Sequence, residues 1–248
     1  MKIQINGLIA LAGSGEYLPV MDEVDRYLLN ATQRNAPDPN VVCVPTAAGT
    51  EGNGSVNYWL ELGTAHFEAL GANVTPARIV DATSANAPEW LPALESADLI
   101  YFSGGKPNYL YETMQNSRAW DAAQKAWARG AAYAGCSAGA MTLAQQIPNV
   151  RSAIGQTSQN AFGVIPAKFI MPHFDRMKGL WAGFLFGARR QLEAGEFIIG
   201  VDEETALVGK LGGEWQIMGK GSVHLIMREG DESFTAGEKN NLKDFINR

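Results

Sequence analysis

Ser137 lies at the centre of Gly135-Cys136-Ser137-Ala138-Gly139, near the middle of this 248-residue chain. In a G-x-S-x-G turn the small flanking residues let a strand bend sharply into a helix. The bend exposes the serine oxygen and aims the following backbone N–H at a developing oxyanion. The chemistry would be nucleophilic acyl transfer, which needs a base for the serine proton. The chain has 3 histidines: His66, His173 and His224. His173 follows the apolar run Phe169-Ile170-Met171 and a proline, so it is expected at a strand end. His66 falls within an amphipathic helical pattern and His224 inside a strand pattern, which leaves His173 as the expected base.

A third group must fix the imidazole tautomer and stabilise the imidazolium. No Asp or Glu occurs from Ala138 to Pro172, so the serine, acid, histidine order of α/β-hydrolases is absent. After the histidine come Asp175 and the trio Asp202, Glu203 and Glu204, which follows the strand-like Ile198-Ile199-Gly200-Val201. Strand alternation puts Glu203 on the side of Val201 and makes it the preferred acid, with Asp202 and Glu204 expected as solvated turn charges. Gly104-Gly105, after the apolar run Leu99 to Phe102, offers unobstructed amides that could complete an oxyanion hole with the N–H of Ala138. Cys136 is intrinsically the stronger nucleophile, but the residue before an elbow serine points back into the sheet, so a buried packing role is expected. Gly13-Ser14-Gly15-Glu16 lacks the third glycine of a dinucleotide fingerprint and the Lys-Ser/Thr of a P-loop. No Cys/His spacing fits a metal site. Neither cofactor nor metal is expected.

The elements that would carry these residues alternate. Leu8 to Ala12 reads as a strand, Val20 to Leu29 as a helix, Val41 to Pro45 as a strand buried on both faces, and Val56 to Leu70 as a helix. Val74 to Val80 suggests a strand, Trp90 to Glu95 a helix, Leu99 to Phe102 a strand, and Leu110 to Ala132 reads as mostly helical. Tyr133 to Cys136 and Ala138 to Gln145 form the elbow strand and its helix. A helix around Leu180 to Ala194 precedes strands at Phe197 to Val201, Ala206 to Val208, Trp215 to Met218 and Val223 to Met227. Asn35 to Asn40, Thr50 to Ser55 and Thr83 to Pro88 read as loops. This order predicts an α/β fold with a doubly wound, mostly parallel sheet and an antiparallel C-terminal β-hairpin. In such a sheet the ligand crevice lies beyond the carboxyl ends of the strands, where each of these motifs falls.

Composition agrees with a single domain spanning residues 1–248, with 46% hydrophobic and 19% charged residues. The formal net charge of -6 is spread through the chain and gives no footprint for nucleic acid or an anionic membrane. The N-terminal apolar run is too short to span a membrane and too interrupted for a signal peptide. The 2 cysteines, Cys43 and Cys136, sit in apolar strand contexts as reduced thiols, which points to the cytoplasm.

Taken together, Leu11 to Glu16, Val44-Pro45-Thr46-Ala47-Ala48, Phe102 to Leu110, Ala134 to Ala140, His173 and Asp202 to Val208 resemble serine peptidase family S51, that of aspartyl dipeptidase and cyanophycinase. The resemblance implies a three-layer, flavodoxin-like fold similar to class I glutamine amidotransferase domains. It also implies a Ser-His-Glu triad at Ser137, His173 and Glu203, oxyanion donors at Gly105 and Ala138, and neither metal nor organic cofactor. Gly104, Lys106 and Asn108 are the substrate-binding candidates. Lys106-Pro107 departs from the small polar or acidic residues usual in the family, and a lysine there could pair with a substrate carboxylate. The expected partner is a small peptide, hydrolysed by a dipeptidase or exopeptidase, with room for a homodimer. Two rival readings are a non-catalytic ligand-binding or regulatory protein on the same scaffold and an amidotransferase-like enzyme using Cys136.

Overall fold

The computed structural model describes residues 5–31, 38–148, 158–176, 178–238, 240 and 242–247. Strand β1 (Ile9–Ala12) is followed by helix α1 (Asp22–Asn30), strand β2 (Asn40–Val44), helix α2 (Asn53–Ala69) and strand β3 (Asn73–Pro76). Short helices α3 (Ala82–Ala85) and α4 (Leu91–Ser96) lead to strand β4 (Leu99–Phe102), helices α5 (Pro107–Met114) and α6 (Arg118–Arg129), and strand β5 (Ala132–Cys136). Next come helix α7 (Ala138–Met141), strands β6 (Gln146–Pro148), β7 (Ser158–Asn160) and β8 (Phe169–Met171), and helix α8 (Lys178–Arg190). Strands β9 (Ile198–Val201), β10 (Thr205–Gly209), β11 (Trp215–Gly219), β12 (Ser222–Ile226) and β13 (Asp231–Thr235) precede helix α9 (Leu242–Ile246).

The main sheet has 7 strands in the order β11-β10-β1-β5-β4-β2-β3. Strands β1, β5, β4, β2 and β3 are parallel, and the β10–β11 hairpin adds antiparallel beside β1. The inner parallel strands carry no polar side chain beyond Asn40 at the start of β2 and the hydroxyls of their tyrosines, because helices cover both faces. Ile9, Leu11, Val42, Val44, Ile100 and Phe102 face α4, α5 and α6, whereas Ala10, Ala12, Cys43, Tyr101 and Cys136 face α1 and α2. The result is the expected doubly wound three-layer α/β arrangement.

Strands β13-β12-β9-β8 form a separate 4-stranded sheet, which the sequence pattern does not announce. One face of it, with Ile170, Ile199, Val201, Val223 and Leu225, joins the α4–α6 side of the core. The other, with Phe169, Met171, Ile198 and Ile226, packs against Ala188 of α8 and against Leu192. This sheet matters because β8 and β9 end immediately before His173 and Glu203.

Several boundaries differ from the sequence reading. The mostly helical span from Leu110 to Ala132 is two helices, α5 and α6, separated where Asn116 takes a φ of 59° and Ser117 Oγ caps α6 by accepting the Trp120 N–H at 3.1 Å. Turn and cap chemistry at this Asn-Ser pair wins over the helical periodicity. Strand β3 stops at Pro76 rather than Val80, and α7 is a single turn. The loop expected at Thr83 to Pro88 begins instead within α3, closed by a reciprocal Asp81–Ser84 cap, and α2 starts inside the loop expected at Thr50 to Ser55. Of the loop expected at Asn35 to Asn40, residues 35–37 lie outside the described residues, and Asn40 belongs to β2.

Candidate active site

Strand β5 delivers Ser137 at φ 49° and ψ -104°, a conformation hostile to a residue with a Cβ. The flanking glycines are sterically required. A Cβ on Gly135 would lie 2.5 Å from the Gly139 carbonyl carbon, and one on Gly139 would lie 2.4 Å from the Phe102 carbonyl oxygen. The Ser137 N–H donates to the Ala12 carbonyl at 2.9 Å, tying the bend to the neighbouring strand. The Gly139 carbonyl accepts from Tyr133 Oη at 2.8 Å and Thr142 Oγ1 at 3.0 Å, which secures the far side.

His173 comes from the other sheet, just past β8, also with positive φ at 51°. Its Nε2 lies 3.1 Å from Ser137 Oγ and its Nδ1 3.1 Å from Glu203 Oε1. An ionised carboxylate only accepts, so Nδ1 carries the proton and Nε2 is free to accept the serine O–H. Glu203 sits in the turn between β9 and β10. Its other oxygen, Oε2, meets Arg176 Nε at 3.1 Å, and its backbone N–H donates to Asp175 Oδ1 at 2.9 Å. The Phe174 N–H donates to the Val201 carbonyl at 3.1 Å. The His173–Arg176 turn and the Asp202–Glu204 turn are thus stitched together. Partial burial acts to raise Asp175, but hydrogen bonds from the amides of Glu203, Arg176 and Asp175 itself, with the Arg176 charge, hold it below the usual carboxylate range.

The loop after β4 can be accounted for amide by amide. The Ser103 N–H donates to the Val44 carbonyl at 3.3 Å and the Lys106 N–H to the Ala47 carbonyl at 2.8 Å, while the Gly104 N–H donates to Glu16 Oε1 at 3.0 Å. The Gly105 N–H has no acceptor among the described residues. Gly105 holds a φ of 139°, and a Cβ there would strike the Ala47 carbonyl at 2.5 Å. Gly104 packs against the nucleophile, since a Cβ on it would be 3.5 Å from Ser137 Cβ. At the start of α7 the Ala138 N–H is one of the unpaired donors of a helix N-terminus. The amides of Gly105, next to Gly104 in the chain, and of Ala138, next to Ser137, are thus among those left unpaired around the serine.

The remaining candidates divide. Lys106 is exposed, and Asn108 Nδ2 donates to Gln159 Oε1 at 3.0 Å, so that amide is engaged within the protein. Gly104 cannot offer its N–H, which Glu16 already holds. Cys136 is fully buried and donates to Glu16 Oε2 at 3.0 Å. Burial, reinforced by the Glu16 charge, pushes its thiol well above the ordinary range, so it stays protonated and out of reach of substrate. Burial also pushes Cys43 up to about 12. His66 belongs to a separate cluster, with Nε2 at 2.8 Å from the buried Asp25.

Asp202 corrects the expectation of a solvated turn acid. It is only 9% exposed, takes the Ser222 N–H at 3.0 Å, and lies 2.9 Å from His224 Nε2. The register of β9 and β12 puts His224 opposite Gly200 at the same sheet end, an arrangement hidden from local sequence. Glu204 is paired with Lys220 at 2.7 Å. Among the described residues no group of His, Cys, Asp and Glu could hold a metal ion, and no helix is long and apolar enough to cross a membrane.

The family model for peptidase family S51 matches residues 8–213, a span that includes the elbow, His173 and the Asp202–Glu204 turn. The chain belongs to peptidase family S51. It is 35% identical to a peptidase from an acI-B1 Actinobacterium whose crystal structure superposes with a TM-score of 0.84, over 96% of this chain and 97% of that one. A Listeria monocytogenes EGD-e protein assigned as peptidase E shares the fold at a TM-score of 0.61 and 19% identity, over 86% of this chain and 98% of that one. Among curated proteins no match is found. This S51 chain is a serine hydrolase of the peptidase class.

Proposed function

We propose that this S51 peptidase hydrolyses small peptides, including ones with acidic residues, through Ser137, His173 and Glu203. The observation that carries the reading is the unbroken relay of two 3.1 Å contacts from serine oxygen to imidazole to carboxylate. Ser137 Oγ attacks the peptide carbonyl and gives its proton to His173 Nε2, while Glu203 stabilises the imidazolium. The tetrahedral oxyanion faces the N–H groups of Gly105 and Ala138. Collapse breaks the C–N bond, and His173 returns the proton to the leaving amine. Water, deprotonated by the same imidazole, then hydrolyses the acyl-enzyme. Lys106 and the 75%-exposed Arg176 place positive charge near these loops, which supports a substrate carboxylate as the feature recognised.

A dipeptide library including aspartyl and isoaspartyl peptides tests the substrate class, with Ser137→Ala as the control. Ser137→Ala is expected to lose both turnover and covalent capture by a fluorophosphonate. Glu203→Gln keeps the shape but loses the charge, and its kcat is expected to fall about 10³–10⁴-fold. Wild-type turnover in Ser137→Ala would end the proposal. The rival reading through Cys136 has no observation in its favour, because that thiol is buried beneath the sheet.

A further inference from the structure

The turn Gly13-Ser14-Gly15-Glu16 has no phosphate-binding signature, yet it touches the loops that build the proposed site. The Gly13 N–H donates to the Thr205 carbonyl at 2.9 Å and Ser14 Oγ accepts the Glu204 N–H at 3.1 Å, so the turn braces the segment carrying Glu203. Glu16 reaches the opposite way. Its carboxyl is 9% exposed and meets two donors, the Gly104 N–H at 3.0 Å and the Cys136 thiol at 3.0 Å.

We infer that Glu16 is a positioning residue for the oxyanion hole, fixing the Ser103–Gly104 peptide so that Gly105 presents the next N–H to the reacting carbonyl. The inference rests on the serine-peptidase reading above. A carboxylate accepts at both oxygens, and here both are occupied by donors aimed from β5 and from the loop after β4. The approach needs glycine, because a Cβ on Gly104 would lie 2.7 Å from Glu16 Oε1. On the other side of the loop, Ala47 takes the Lys106 N–H and presses against Gly105. Glu16 and Ala47 thus grip the loop from both ends, leaving one amide between them unengaged. Without Glu16 the Gly104 N–H becomes a buried donor with no acceptor, and its peptide must turn to find one. That rotation carries the Gly105 N–H away from the oxyanion. Glu16 touches neither substrate nor imidazole, so its loss acts on the transition state and leaves proton transfer by His173 alone.

The rate of fluorophosphonate capture at Ser137 tests this, because the phosphonyl oxygen enters the oxyanion site. Glu16→Ala is expected to slow capture about 10²-fold, the usual effect of losing one oxyanion donor. Glu16→Gln, which retains an acceptor for the Gly104 N–H, stays within a few-fold of wild type. The shape of the capture rate against pH is unchanged in both, because neither substitution touches His173. If Glu16→Ala fails to melt cooperatively, Glu16→Asp decides, since its shorter side chain withdraws the acceptor from Gly104. Wild-type capture rates in the folded Ala or Asp variant, or equal losses in Gln and Ala, would overturn the inference. A wild-type protein not captured at Ser137 would instead overturn the peptidase reading beneath it.

Discussion

At the scale of single residues, the site combines strain with closely spaced hydrogen bonds. Ser137 and His173 both hold positive φ, at 49° and 51°, and neither is a glycine. Such positions cost on the order of 1–3 kcal/mol each and persist because the surroundings over-determine them. Ser137→Gly should therefore be more stable than Ser137→Ala by about 1 kcal/mol, measured by urea unfolding, and under the proposed mechanism both should lack activity. Asp175 gives a pH signature. Its folded-state pKa lies below the unfolded value, so its contribution to stability is present above about pH 4 and fades as pH falls through the lowered folded value. Asp175→Asn should be less stable than wild type at pH 7, with the gap closing as pH falls below about 4. Urea midpoints across that range check the sign, and a gap that widened on acidification would contradict it.

Elements differ in how plainly the sequence announces them. Strands β2 and β4 are legible because burial on both faces demands unbroken apolar runs, and the elbow is legible because only glycine fits beside the Gly139 and Phe102 backbone. The break after Met114 is not, since helical periodicity continues through it and one Asn-Ser pair decides. The 3-residue strands β6 and β7 are too short for alternation to register, whereas β8 shows as the apolar run before His173, and β13 alternates only between exposed and half-buried positions. That Ser137, His173 and Glu203 meet at one edge is legible because each follows a strand. Glu16 could not be given its role, because its partners lie 88 and 120 residues away. Helix α8 carries a local weakness the sequence does show. Gly183 sits exposed in its middle, and a Cβ there would meet nothing within 4 Å. Gly183→Ala should raise stability by about 0.8–1 kcal/mol, read as a higher urea midpoint with unchanged activity.

On the scale of the whole molecule, the site exists only where two sheets meet. The main sheet supplies Ser137 and the proposed oxyanion amides of Gly105 and Ala138, while β8 and β9 of the second sheet lead into His173 and the Glu203 turn. Gly13 is at the junction. A Cβ there would lie 2.1 Å from the Asp202 carbonyl oxygen and 2.6 Å from that of Val201, both rigid backbone atoms rather than a side chain able to swing aside. Gly13→Ala must therefore push the end of β1 away from the β9–β10 turn. The 3.1 Å serine–imidazole contact spans that same gap, so a displacement of about 1 Å is enough to cost roughly 10²-fold in rate. Both sheets retain their own hydrogen-bond ladders and apolar faces, so far-ultraviolet circular dichroism should change little while turnover and fluorophosphonate capture at Ser137 fall together. Full activity in Gly13→Ala would mean that the junction yields without moving the imidazole, and that catalysis does not depend on how closely the two sheets approach at this point.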